Sequence, residues 1–98
     1  MPQTERIEIE NVLQPGKTYR VDAEKFAAMR DAVLAEIPVE QPGLTPGELK
    51  ARVLARLPEA LFPGGDKTGW WLKAVQLDLE AKRTIARAPT APVRLYRL

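Results

Sequence analysis

Nine prolines, four of them followed directly by glycine, cut this 98-residue chain into short pieces. Proline fixes φ and lacks the backbone N–H, so it ends helices and stays out of paired strands. Glycine supplies the positive φ that many turns require. The fold must therefore be assembled from short elements that meet at Pro15-Gly16, Pro38, Pro42-Gly43, Pro58 and Pro63-Gly64-Gly65.

Ahead of the first break, Arg6-Ile7-Glu8-Ile9-Glu10 alternates polar and apolar residues, the period of a half-buried strand. Lys17-Thr18-Tyr19-Arg20-Val21 alternates again, which predicts a hairpin around a type II turn at Pro15-Gly16. Asp22 is a good N-cap, and Glu24 suits the positive end of the helix that follows. Phe26, Met29, Val33, Leu34 and Ile37 then recur at helical spacing until Pro38. Thr45-Pro46-Gly47-Glu48 is a capping box with proline at the first helical position. It opens a second helix whose stripe is Leu49, Val53, Leu54 and Leu57, ended by Pro58. Leu61-Phe62 plugs the next connection. Asp66 is expected to cap a third helix running to about Lys82. Two short strands follow, Ile85 to Arg87 and Val93 to Arg97, around the stiff loop Ala88-Pro89-Thr90-Ala91-Pro92. The expected architecture is α+β in a single domain, residues 1–98: three helices, a C-terminal β-wing and an N-terminal β-hairpin.

A chain of this length supports one hydrophobic core. Its 45% apolar and 29% charged residues are those of a globular protein. No apolar run approaches the roughly 20 residues of a membrane span, and Met1-Pro2-Gln3-Thr4-Glu5 is too polar for a signal peptide. With no cysteine to form disulfides, the expectation is a cytoplasmic location and no membrane partner.

The chain also lacks histidine and serine, so a Ser or Cys nucleophile and an imidazole base or ligand are impossible. Glu8 and Glu10 share a strand face, and Asp78 lies near Glu80 and Lys82 on the third helix. Without a calcium-loop spacing, these read as solvated charge. Phe62-Pro63-Gly64-Gly65-Asp66-Lys67-Thr68-Gly69 departs from a phosphate loop, because its first glycine stands too close to the lysine. The helix start behind it offers N–H groups to one phosphate of a nucleic acid. The expectation is a protein that is not an enzyme and needs no cofactor or metal.

Charge divides unevenly. Residues 1–40 carry five basic and eight acidic side chains, whereas residues 41–98 carry ten basic and five acidic ones. From Lys82 onward there are only bases: Lys82, Arg83, Arg87, Arg94 and Arg97. Such an end suits an anionic partner, or a solvated edge strand protected from aggregation.

On the third helix, Leu72, Val75 and Leu79 form a core stripe, while Trp70, Ala74, Leu77 and Ala81 form a second apolar stripe. A DNA reader needs polar side chains there to meet base edges. The remaining face holds Lys73, Gln76, Glu80 and Arg83. A helix apolar on two sides is expected to be covered on both, by the hairpin or by another subunit, with Trp70 and Trp71 both buried.

The element order resembles a winged helix-turn-helix, and Leu79-Glu80-Ala81-Lys82-Arg83-Thr84-Ile85-Ala86-Arg87 resembles the run joining recognition helix to wing in many bacterial regulators. That likeness covers residues 45–98. It departs at Arg83, where such families usually place glycine. Pro15-Gly16-Lys17, Arg20-Val21-Asp22-Ala23, Phe62-Pro63-Gly64-Gly65 and Gly69-Trp70-Trp71 with Gln76-Leu77-Asp78-Leu79-Glu80 resemble a small bacterial family of unknown function, which implies a fold and no activity.

Two functions stay open. One is nucleic-acid binding through backbone phosphates, by Lys67, Lys73, Arg83, Arg87, Arg94 and Arg97. The other is a protein–protein or homodimerisation module that uses Trp70, Ala74 and Leu77.

Overall fold

The alternating N-terminal segments pair as their spacing predicts. In the computed structural model, which describes residues 5–89 and 91–98, Arg6–Glu10 (β1) runs antiparallel to Thr18–Asp22 (β2). The polar start at residues 1–4 and Thr90 of the proline loop lie outside the described residues. The Lys17 N–H donates to the Gln14 carbonyl at 3.1 Å, and Gly16 adopts φ 87°, as the third residue of a type II turn must. Ile7 stands opposite Val21 and Ile9 opposite Tyr19, so these four share one face of the hairpin.

Asp22 caps Ala23–Glu36 (α1) by accepting the Lys25 N–H at 3.0 Å, and the helix buries Phe26, Met29, Ala32 and Val33. Pro46–Leu54 (α2) opens on the expected capping box. The Glu48 N–H donates to the Thr45 hydroxyl at 3.2 Å, and the Thr45 N–H donates to the Glu48 carboxylate at 2.9 Å. This helix stops short of Pro58, in a turn where the Arg56 N–H reaches the Val53 carbonyl at 2.8 Å. Leu49 and Val53 are buried as expected, but Leu54 faces solvent and Leu57 is half-buried. Leu54 follows Val53 by about 100° of rotation, which turns it off a stripe this short.

Thr68–Ala81 (α3) does not start from Asp66. Its N-cap is Lys67, in the left-handed region at φ 56° and without a side-chain cap. Gly64 and Gly65 take φ 62° and 76° in a tight turn, which the Asp66 N–H closes onto Pro63 at 3.0 Å. The glycines thus add a turn that moves the helix start beyond Asp66. The other end of α3 is a Schellman motif. The Thr84 N–H donates to the Leu79 carbonyl at 2.9 Å, the Arg83 N–H to that of Glu80 at 3.1 Å, and Arg83 sits at φ 59°. The position where glycine was expected needs its geometry and holds arginine instead.

Ile85–Arg87 (β3) pairs antiparallel with Leu95–Arg97 (β4), leaving Val93 outside the strand. The α1–α2 connection joins them: Leu44 and Leu95 exchange N–H···O bonds of 2.9 and 2.7 Å, and the Arg97 N–H reaches Pro38 at 2.7 Å. Gly43 permits this approach. A Cβ there would lie 1.8 Å from the Leu95 carbonyl oxygen, and its φ is 87°. The core gathers Met29, Val33, Leu49, Val53, Phe62 and Val75 between the helices, joined by Ile9 and Val21 from the hairpin and by Ile85 and Leu95 from the C-terminal pair. The fold class is α+β, with three helices and a small antiparallel strand pair on either side of them in the chain. No helix among the described residues is long and apolar enough to cross a membrane.

Candidate functional site

The six cations singled out by sequence fall into two groups. The Arg87 guanidinium meets Glu80 twice, at 2.5 and 3.3 Å, and Glu80 also accepts the Gln76 side-chain N–H at 3.2 Å. The hydrogen bond to Glu80 raises the Arg87 pKa further above its already high ordinary value. Arg94 lies 3.4 Å from the Gly43 carbonyl and 3.5 Å from the Glu48 carboxylate. Both arginines thus have their charge largely answered within the chain. Lys67, Lys73, Arg83 and Arg97 are exposed and take part in no ion pair among the described residues. They are split along α3, however. Lys67 and Lys73 lie toward its start, while Arg83 follows its end and Arg97 faces Ile85 across the strand pair. A helix of this length spans roughly 20 Å, so the four do not form one compact basic patch.

The expectation that Asp78 is solvated is wrong. Asp78 is 1% exposed and accepts the Glu10 N–H at 2.8 Å and the Lys82 ammonium at 2.9 Å. Beside it, the Val12 N–H donates to the Leu77 carbonyl at 3.3 Å. These bonds pin the end of β1 to the C-terminal half of α3. Glu8 and Glu10 are exposed on the outer hairpin face, and no group of three or more acidic residues is placed to hold a metal ion among the described residues.

That pinning decides what happens to the second stripe of α3. The hairpin covers Leu77, leaves Ala74 half-buried and does not reach Trp70, which is 58% exposed. The expectation that both tryptophans are buried therefore fails for Trp70. Adjacent helical residues point about 100° apart. Trp71 turns into the core, 7% exposed and edge-on to Phe62 at 6.3 Å, while Trp70 turns out and packs edge-on against Trp71 at 5.0 Å.

Between the inner hairpin face and α3 this leaves a cleft of about 440 Å³. Ile9 and Val21 line one wall and Ala74 and Leu77 the other, with Trp70 and the 42% exposed Tyr19 at the mouth. Glu10, Arg20 and Lys73 also border it, Glu10 and Arg20 from positions that alternate onto the outer hairpin face. A mainly apolar concavity with a few polar groups at its edge is the usual form of a binding site. The sequence showed its helical wall in Trp70, Ala74 and Leu77 and left the facing wall open between the hairpin and another subunit. Alternation already placed Tyr19 and Val21 on one face; it did not say which helix that face would meet.

A second groove, of about 420 Å³, runs along α3 on its other flank, and its lining includes Lys50, Lys73 and Arg87 as well as Leu13 and Val93. Lys50 was not among the candidate residues. Its Nζ lies 3.5 Å from the point a Cβ on Gly69 would occupy, an ordinary contact distance, so the ammonium rests over the start of α3.

A family model described as a family of unknown function (DUF6958) matches residues 6–95. No curated protein and no solved structure gives a significant match.

Proposed function

The chain belongs to DUF6958, a family of unknown function, and from its geometry we propose that it is a non-enzymatic interaction module whose hairpin–α3 cleft receives apolar side chains of a protein partner. The observation that carries this reading is Trp70, 58% exposed at the mouth of an apolar cleft of about 440 Å³. Leaving an indole in water forgoes the stabilisation its burial brings, and Trp and Tyr are the side chains most enriched among residues that dominate binding energy. The absence of histidine, cysteine and serine supports a binding role over catalysis. The lack of cysteine also supports a cytoplasmic setting.

A second reading rests on the other groove. Lys50 and Lys73, which take part in no ion pair among the described residues, line it together with the Glu80-paired Arg87 beside the C-terminal strand pair, in keeping with a winged helix that holds phosphates by charge alone. NMR titration separates the two. Indole as an apolar probe should shift the amides of Ile9, Ala74 and Leu77 and the Trp70 ring, and Trp70→Ala should abolish those shifts. Duplex DNA that shifts Lys50, Lys73 and Arg87 at low salt, with indole leaving the cleft unmoved, would replace the first reading by the second.

A further inference from the structure

The strand edges of this molecule differ in what covers them. On the outer side of β4 the main chain of Leu95 and Arg97 bonds to Leu44 and Pro38, and the Glu10 and Val12 N–H groups on the outer side of β1 reach Asp78 and Leu77 on α3. β3 has 3 residues, too short an edge to accept a strand. The outer edge of β2 is open. The Ala23 N–H donates to the Glu5 carbonyl at 2.8 Å, and bonded and non-bonded pairs alternate along an antiparallel ladder. The bonded pairs are therefore Ile7 with Val21 and Ile9 with Tyr19, which turns the N–H and C=O groups of Thr18 and Arg20 away from β1. Those groups meet no partner among the described residues, and Thr18, Tyr19 and Arg20 are all exposed. β2 pairs with β1 residue for residue and contains no proline, so neither a bulge nor a missing N–H closes its edge.

We infer that the β2 edge pairs with the β2 edge of a second copy of this chain, joining the two hairpins into one sheet about a two-fold axis. Such an axis makes the meeting strands antiparallel, and the residue that lies on it sets the whole register. With Tyr19 on the axis, the free groups of Thr18 meet those of Arg20 in the second copy, and each such pair exchanges both its N–H···O bonds. The neighbouring registers fail. Arg20 on the axis opposes one arginine to the other, and Thr18 on the axis pairs Arg20 with Gly16, which at φ 87° is not extended. Val21 on the axis sets Tyr19 against Ala23, where α1 has begun. In the Tyr19 register the outer face runs Glu8, Arg20, then Thr18 and Glu10 of the second copy, so no like charges stand opposite each other. On the inner face the Tyr19 rings, 42% exposed in the single chain, become a close cross-strand aromatic pair. Lys17 ends opposite Val21 of the second copy, with its stem along the strand and its ammonium in water. A two-stranded hairpin is marginal by itself, and the longer sheet supports it. The contact is made by main chain and Tyr19 and needs nothing to enter the cleft.

Sedimentation of the full chain over a concentration series should show a monomer–dimer equilibrium. Arg20→Pro should weaken it at least about tenfold, because it removes a crossing donor from each copy. That N–H points away from β1, so the proline takes no bond from its own hairpin. Should Arg20→Pro melt below the wild type, Tyr19→Glu replaces it, opposing two carboxylates across the axis without touching the main chain. Cross-linking reads the register, since the chain has no cysteine of its own. Mild oxidation should join Tyr19→Cys chains, whose Cα atoms face each other within disulfide reach, and should leave Thr18→Cys chains unjoined. As concentration rises, the Thr18 and Arg20 amides should gain protection from hydrogen exchange, while those of Tyr19 and Val21, already bonded to β1, stay as they were. A monomer up to about 1 mM would overturn the inference. So would a dimer that Trp70→Ala dissociates and Arg20→Pro does not, which would put the contact at the cleft. Cross-linking through Thr18→Cys in place of Tyr19→Cys would overturn the register, and with it the pairing of Thr18 with Arg20. Indole binding in the cleft is untouched by any of these outcomes, so the two readings fail separately.

Discussion

Single residues carry the sharpest contrasts in this molecule. The two tryptophans are chemically alike and adjacent, yet their environments are opposite. Trp71→Ala should cost roughly 3–5 kcal/mol in urea unfolding, the usual range for a buried aromatic, while Trp70→Ala should cost less than about 1 kcal/mol. Comparable losses would mean that both rings belong to the core. Arg83 and Gly43 make a second contrast, in the backbone. Arg83 holds the left-handed position of a Schellman motif at φ 59°, which an L side chain adopts at a cost of about 1 kcal/mol or more. Both hydrogen bonds of the motif come from the main chain. Arg83→Gly should therefore stabilise the fold, by up to about 1 kcal/mol once the greater freedom of glycine in the unfolded chain is counted. Gly43→Ala runs the other way. It combines a positive φ with a Cβ placed 1.8 Å from the Leu95 carbonyl oxygen, so it should destabilise by more than about 2 kcal/mol and detach the α1–α2 connection from β4.

At the scale of elements, the capping box of α2 has a signature in pH. Glu48 accepts the Thr45 N–H and its own N–H donates to the Thr45 hydroxyl, and the backbone bond is the larger cause that holds the Glu48 carboxyl below its ordinary value. Nearby Arg94 and Arg52 act in the same direction. A lowered pKa means that the folded state favours the ionised form. The resulting stabilisation is present above the unfolded value, near 4.3 for glutamate, and is lost as pH falls through the lower folded value. Glu48→Gln keeps the bond and removes the charge. Its melting temperature should lie furthest below the wild type near neutral pH and converge with it below about pH 4. A gap that stays constant with pH would show that the charge contributes nothing. This box was legible in the sequence because its partners sit three residues apart and need no tertiary contact. Asp22 and the Pro15-Gly16 turn were legible for the same reason. Asp66 misled because the φ values of two preceding glycines, invisible in the sequence, inserted a turn before α3. The site was half legible on the same grounds. Helical spacing exposed the Trp70, Ala74 and Leu77 wall, but the wall of Ile9, Tyr19 and Val21 depends on where a hairpin docks. Arg87 and Arg94 could not be known as engaged until Glu80 and Glu48 were seen beside them.

Across the whole molecule, one buried carboxylate decides where that hairpin docks. β1 and β2 form an isolated pair, and two strands alone are marginal in water. The apolar face of Ile7, Ile9 and Val21 gives the pair a reason to pack, while Asp78 fixes the position by accepting the Glu10 N–H at 2.8 Å. Without that acceptor, the Glu10 N–H would lose its partner in a partly buried site. Losing a partly buried, charge-assisted bond of this kind costs on the order of 2–3 kcal/mol. Lys82 is a lesser partner, because its side chain is 42% exposed and its ion pair is correspondingly screened. Asp78→Ala should therefore destabilise the protein by about 2–3 kcal/mol and Lys82→Ala by less than about 1 kcal/mol. Hydrogen exchange gives the regional readout. In Asp78→Ala the amides of β1 and β2 should lose protection well before those of α1 and α3, since local opening frees the hairpin alone. Indole should then cease to shift Ile9 and Leu77, because the two walls no longer stand at a fixed separation. Uniform loss of protection over all elements would instead make Asp78 a support of the general core, and the cleft would not depend on this one bond for its shape.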